Sequence, residues 1–224
     1  DKITAGRLHE DGDVHAGDGR PDATGAGVPY PGSKGYREYE GRSFAYVNLG
    51  DWMTQDTVDM AEWHVGGTEH NTKRRGIVSF GDVTNPSSIP TSGTATYTGS
   101  VYGTYTPNGN TTDPDPFIGT VTLTVDFATR QVAVQVQNTT TNQATPAAVP
   151  LTFTTTVGMG AAGQSVANYL NGTVQANSFN GGIGARFFGT AAGGGAPPEL
   201  GGVFSLSNGT TKLVALGGFI AQKR

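Results

Sequence analysis

Between residues 120 and 137 the chain alternates apolar and polar side chains twice over. Val121, Leu123, Val125 and Phe127 alternate with Thr120, Thr122, Thr124 and Asp126; beyond a turn at 126–130, Val132, Val134 and Val136 alternate with polar neighbours. A period of two is that of a half-buried strand. The β-branched and aromatic run at 94–105 predicts a strand before this pair. Further strands are predicted at 150–158, 172–179, 182–188, 200–207 and 212–220, with a short helix at 165–170. About eight strands after residue 93, joined by loops of hairpin length, predict a small antiparallel barrel whose interior is filled by side chains. Gly-X-Phe patterns suit it, since glycine permits tight curvature and phenylalanine fills the lumen. The run Gly217-Gly-Phe-Ile-Ala-Gln-Lys-Arg224 supplies the last strand, which completes the closure.

Upstream the periodicity weakens. Residues 1–43, rich in Gly, Asp, Pro and Arg, read as a solvated arm. A strand is predicted at 42–49, turned by Gly50-Asp51. A short helix follows at 54–62, with Thr54 or Asp56 as its cap. After Trp63-His-Val-Gly-Gly-Thr-Glu-His70 and Lys73-Arg-Arg75, a brief strand is predicted at 76–80. Two prolines and several turn residues make Asp82-Val-Thr-Asn-Pro-Ser-Ser-Ile-Pro90 a linker. The expected fold is therefore mainly β. An arm and small α+β domain occupy 1–81, a linker 82–93, and an eight-stranded β-barrel 94–224.

Composition narrows the class. With 35 Gly and 14% charged residues, the chain is turn-rich and weakly charged, and its net charge of −4 gives no reason to expect a nucleic-acid partner. No apolar run approaches the ~20 residues of a membrane helix. Cysteine is absent, which excludes disulfides, thiolate catalysis and a lipidated cysteine within these residues. The chain starts at Asp1 without a signal-like segment, so any export signal is removed or lies outside the sequence, and this start does not by itself locate the protein. No Gly-x-Ser-x-Gly elbow, phosphate loop or His-Glu-x-x-His motif occurs, and Asp56, Asp59 and Glu62 have no partner acid, so an enzyme is not expected. Asn171-Gly172-Thr173 and Asn208-Gly209-Thr210 read as hairpin turns. All four histidines and both tryptophans precede Ile77. The barrel reads as a scaffold, and chemistry is expected upstream.

Pro90-Thr-Ser-Gly-Thr-Ala-Thr-Tyr-Thr-Gly99, Thr124-Val-Asp-Phe127, Phe187-Phe-Gly189, Glu199-Leu-Gly-Gly-Val-Phe204 and Gly218-Phe-Ile-Ala-Gln-Lys-Arg224 occur in this order. Over roughly residues 77–224 this set resembles the β-barrel of the transferrin-binding protein B family. That group includes Slam-dependent surface lipoproteins and the secreted haemophores called hemophilins. The sequence departs from the family pattern at Thr190, where proline is usual, at the insertion Gly193-Gly-Gly-Ala-Pro-Pro198, and at Ile220, where glycine is common. The resemblance implies a handle domain before the barrel. It also implies that the handle decides the ligand, which is transferrin, haemoglobin, complement factor H or haem.

Haem iron takes neutral imidazole, and an aromatic crevice shields the porphyrin. Trp63-His64 sets an imidazole beside a large flat ring, making His64 the first candidate ligand of haem b (Fe-protoporphyrin IX). His70 is the second, followed by His15 and His9. Tyr46, Trp63 and Trp52 are candidate walls, and Lys73, Arg74 and Arg75 are placed to meet propionates. Each has a plainer reading: a lone surface histidine, a core tryptophan, a solvated basic turn. His9, His15, Asp11 and Asp13 make a poor zinc pattern without cysteine. The reading that follows is a secreted haemophore of a Gram-negative bacterium. As the resemblance implies, a Slam-type translocon exports it, haemoglobin or the medium supplies haem, and a TonB-dependent outer-membrane haem receptor accepts it. The competing reading is a surface module that binds a host protein such as an iron carrier or a complement regulator. A purely structural or adhesive barrel is the third.

Overall fold

The computed structural model describes residues 2–4, 7–9, 44–53, 75–107, 115–142 and 145–224. Near its start, β1 (Lys2–Thr4) pairs antiparallel with β2 (Arg7–His9), and β3 (Val47–Met53) pairs antiparallel with β4 (Arg75–Gly81). Eight strands follow: β5 (Thr94–Thr106), β6 (Asp115–Asp126), β7 (Gln131–Thr141), β8 (Phe153–Met159), β9 (Tyr169–Ala176), β10 (Phe179–Phe188), β11 (Glu199–Asn208) and β12 (Val214–Lys223). They close into one antiparallel barrel in which each strand pairs with its neighbours in sequence and β12 returns to β5. Closure removes the free edges that such a sheet would otherwise expose.

Alternation sorts the side chains as the sequence predicts. Val121, Leu123 and Val125 of β6 and Val132, Val134 and Val136 of β7 are buried in the lumen with Phe153, Phe187 and Phe219. Glycines stand directly across from some of the lumen rings. Phe117 pairs with Gly103 and Phe219 with Gly202, and a Cβ on either glycine would lie 2.6 or 2.5 Å from the ring. Without these gaps, rings of this size would not fit an interior just wide enough to be filled.

The outer wall of β7 to β9 is polar. Gln135, Gln137, Thr154, Thr156, Asn171, Thr173 and Gln175 are all exposed. That is the reverse of the apolar band with which a barrel meets lipid. Among the described residues, no helix is long and apolar enough to cross a membrane.

Three local expectations are corrected. The strand predicted at 42–49 begins instead at Val47, and Gly50 and Asp51 lie inside its ladder opposite Val78 and Ile77. A bend at Ala45 and Tyr46 precedes it, so Phe44 is buried beside Val47 and Leu49 rather than on the opposite face. The segment predicted as a helix at 165–170 is a chain of turns that runs into β9 at Tyr169. The Arg130 guanidinium donates to the carbonyls of Gly160 and Ala167, gathering both ends of this loop. Asn171-Gly172-Thr173 is not a turn but the middle of β9, where Gly172 faces Val157 so closely that a Cβ would meet Val157 Cγ1 at 2.8 Å. The helix predicted at 54–62 lies outside the described residues.

Candidate binding site

One stripe of the barrel exterior is apolar, and the β3–β4 ribbon covers it. Phe44, Val47 and Leu49 pack with Phe188 and Ile220 of the barrel wall, joined by Tyr46, Ile77 and Tyr102. The pair Phe187-Phe188 serves both sides of β10: Phe187 is in the lumen cluster, Phe188 beneath the ribbon. Glycine again sets the distance. A Cβ on Gly218 would lie 2.5 Å from Leu49 Cδ1 and 2.6 Å from Ile77 Cγ2, and one on Gly201 would lie 2.6 Å from Val47 Cγ2.

Glu199 stands at the start of β11, 3% exposed. Its Oε1 accepts from the backbone N–H of Ala45 at 2.7 Å, and its Oε2 accepts from those of Tyr46 at 2.8 Å and Val47 at 2.7 Å. Three successive N–H groups converging on one point form a nest for an anion, and the carboxylate fills it. A buried acid is tolerated only when bonded in this way.

Residues 82–90, read as a linker, are fastened to the barrel. Thr84 donates its N–H to Phe187 O and its hydroxyl to Gly189 O, Asn168 Nδ2 donates to Thr84 O, and Ile89 is buried in the lumen cluster. Beside this segment is a cavity of about 280 Å³ lined by Tyr46, Asp82, Thr84, Asn85, Ser88 and Thr190. It lies below the ~300–1,000 Å³ range of ordinary small-molecule pockets. Tyr46 reaches it over Gly189, whose φ of 85° requires glycine and whose Cβ would meet the Tyr46 ring at 2.6 Å.

Of the sequence candidates, then, Tyr46 is placed at the junction of ribbon and barrel. His9 belongs to β2, opposite Lys2. His15, Trp63, His64, His70 and Arg74 lie outside the described residues. Among the described residues, no group of three or more His, Asp or Glu side chains converges as a metal site would require. His64 and His70 fall within residues 54–74, which join β3 to β4. The role of Glu199 escaped the sequence reading, although its motif carried the resemblance. The available signal was an acid opening a strand whose other residues are all uncharged.

The described residues thus form a closed eight-stranded barrel with a two-stranded ribbon docked on its wall. The chain belongs to the transferrin-binding protein B family: residues 89–223 match the family model described as the C-lobe and N-lobe β-barrels of that protein. It is a family of binding proteins, not of enzymes. Among solved structures, a single-residue variant of transferrin-binding protein B from Haemophilus parasuis is similar, with 14% identity, 80% of this chain and 33% of that chain covered, and a TM-score of 0.51. The isotype 1 transferrin-binding protein B from serogroup B Neisseria meningitidis has 17% identity, coverage of 81% and 32%, and a TM-score of 0.51. At these identities the likeness concerns the fold. The chain spans about a third of the length of both solved proteins. No curated protein matches the sequence.

Proposed function

We propose that the protein is an exported iron-acquisition module of a Gram-negative bacterium in which the barrel carries the β3–β4 ribbon and residues 54–74 meet the ligand. The observation that carries this reading is the docking of the ribbon. Glu199 at one end and the glycine notches along its length hold it on the wall, and the Met53–Arg75 pair at its other end bounds residues 54–74. That segment contains Trp63-His64, His70 and Lys73-Arg74, while the barrel contains no histidine.

The ligand we assign is haem b. His64 is the axial ligand, with His70, or His15 or His9 from the N-terminal arm, as the second. Trp63 and Tyr46 shield the ring and Arg74 meets a propionate. Export by a Slam-type translocon and transfer of haem to a TonB-dependent outer-membrane receptor complete the reading. Titration of the apoprotein with hemin is expected to give a sharp Soret band that His64→Ala shifts or abolishes. No spectral change at stoichiometric hemin overturns the haem assignment.

The second reading is capture of a host protein that carries iron, and the name of the family favours it. Immobilised protein incubated with transferrin or haemoglobin separates the two. Retention of the host protein without any hemin response selects this reading, and a hemin response without retention selects the first.

A further inference from the structure

We infer that Glu199 at one end of the ribbon, together with Gly218 beneath its length, is a positioning latch that fixes the β3–β4 ribbon, and with it the Met53–Arg75 pair, on the barrel wall. The inference rests on the proposed role of residues 54–74 in binding. The ribbon is held at the Val47–Gly81 end. There Glu199 takes the N–H groups of Ala45, Tyr46 and Val47, Asp82 donates its N–H to Tyr46 O, and Gly189 donates its N–H to Asp82 O. The Met53–Arg75 pair lies six residues along the ladder, roughly 20 Å away at the rise of an extended strand.

Two features make this end a latch rather than ordinary packing. The bend at Ala45 and Tyr46 leaves three successive donors without a strand partner, and the Glu199 carboxylate meets all three. Apolar contact alone is non-directional and would let a two-stranded ribbon slide or tilt on the wall. Hydrogen bonds to one buried carboxylate fix its register. Leu49 and Ile77 then seat over Gly218, where the three atoms nearest to an added Cβ all belong to these two ribbon side chains. The ribbon therefore has one seat, which fixes where its Met53–Arg75 pair lies on the barrel.

The test uses the full chain as wild type, Glu199→Gln, Gly218→Leu and Gly182→Leu. Gly182 also lies on the barrel wall, but a Cβ there meets nothing within 4 Å, so it serves as the control. Amide hydrogen exchange is read for β3, β4 and the barrel strands β6 and β7. Affinity is read with two probes, hemin and immobilised haemoglobin or transferrin. In Glu199→Gln and Gly218→Leu, exchange in β3 and β4 is expected to rise on the order of tenfold or more, as loss of a charge-assisted bond would produce, with β6 and β7 unchanged. Affinity for whichever probe the wild type binds is expected to weaken by a similar factor, and Gly182→Leu changes neither. Unchanged ribbon exchange in both variants overturns the latch. So does faster ribbon exchange with undiminished affinity. If the wild type binds neither probe, the proposed function falls, and the exchange measurement still decides the latch.

Discussion

Phe204 on β11 stands directly across from Gly217 on β12, its ring so close over the glycine backbone that a Cβ there would sit 2.2 Å from Cζ. It is the third such pairing in the lumen, after Phe117 with Gly103 and Phe219 with Gly202. The Phe204 ring also forms an edge-to-face pair with Phe153 of β8, 5.4 Å between centroids. The glycine gap thus seats a ring that ties β8 and β11 across the barrel.

Gly217→Ala is expected to overpack this contact and lower stability by ~1–3 kcal/mol, the usual cost of an added methyl in a filled core. Gly182→Ala faces open space and should fall within ~0.5 kcal/mol of wild type. Urea denaturation of the two variants checks the contrast. Equal losses would mean that strand propensity, not ring packing, governs both sites.

Tyr97 is fully buried and donates its hydroxyl to Pro197 O at 2.8 Å. Burial holds its phenol well above the ordinary value of 10.0. The unfolded chain ionises near that value while the folded chain keeps its proton. Tyr97 therefore contributes fully below about pH 10, and its contribution is lost as pH rises further, at up to ~1.4 kcal/mol per pH unit. Tyr97→Phe should cost ~1 kcal/mol at neutral pH and flatten the alkaline loss of stability. Equilibrium unfolding at pH 8 to 11 for both proteins measures it.

Asp126 caps the β6–β7 turn, its Oδ1 accepting from the N–H groups of Ala128 and Thr129. Bonding from the Thr129 N–H, then from the Thr129 hydroxyl and the Ala128 N–H, holds the carboxyl below its ordinary value. The cap is complete above the unfolded value of about 3.9 and is lost as pH falls through the lower folded one. Amide resonances of Ala128 and Thr129 should therefore titrate with a midpoint below that of a free carboxylate. Asp126→Asn should remove the titration and keep the turn, because the carboxamide oxygen still accepts.

The β9–β10 turn places Asn177 at φ 53° and Ser178 at φ 70°, between the paired residues Ala176 and Phe179. Both central residues are left-handed, as a tight hairpin requires, but only asparagine adopts this region readily. Ser178→Gly is expected to raise stability by ~0.5–1 kcal/mol, read as a higher midpoint in the same urea assay. A lower midpoint would mean that the serine makes a compensating contact.

Much of the barrel was legible because its signals are local. Alternation at 121–127 and 132–136 sorts side chains to two faces whatever the partner strand is, and Asn208-Gly209-Thr210 does turn, with Asn208 Oδ1 accepting from Thr210 and Thr211. The misread elements were those where a distant group competes with local preference. Asn171-Gly172 carries hairpin chemistry, yet it is a strand because β8 passes close to Gly172. The strand at 42–49 starts late because Glu199, more than 150 residues away in sequence, takes the N–H groups before it.

By itself, the sequence determined that an eight-stranded barrel forms and that histidine and tryptophan gather upstream of it, since periodicity and composition are properties of the chain read in order. Only the tertiary structure decided the register in which β12 meets β5, that Phe117, Phe204 and Phe219 each meet a glycine across the ladder, and that one carboxylate seats the ribbon on the wall. These depend on which residues arrive opposite one another once the sheet has curled. Register and closure bring them together, and no local pattern encodes them.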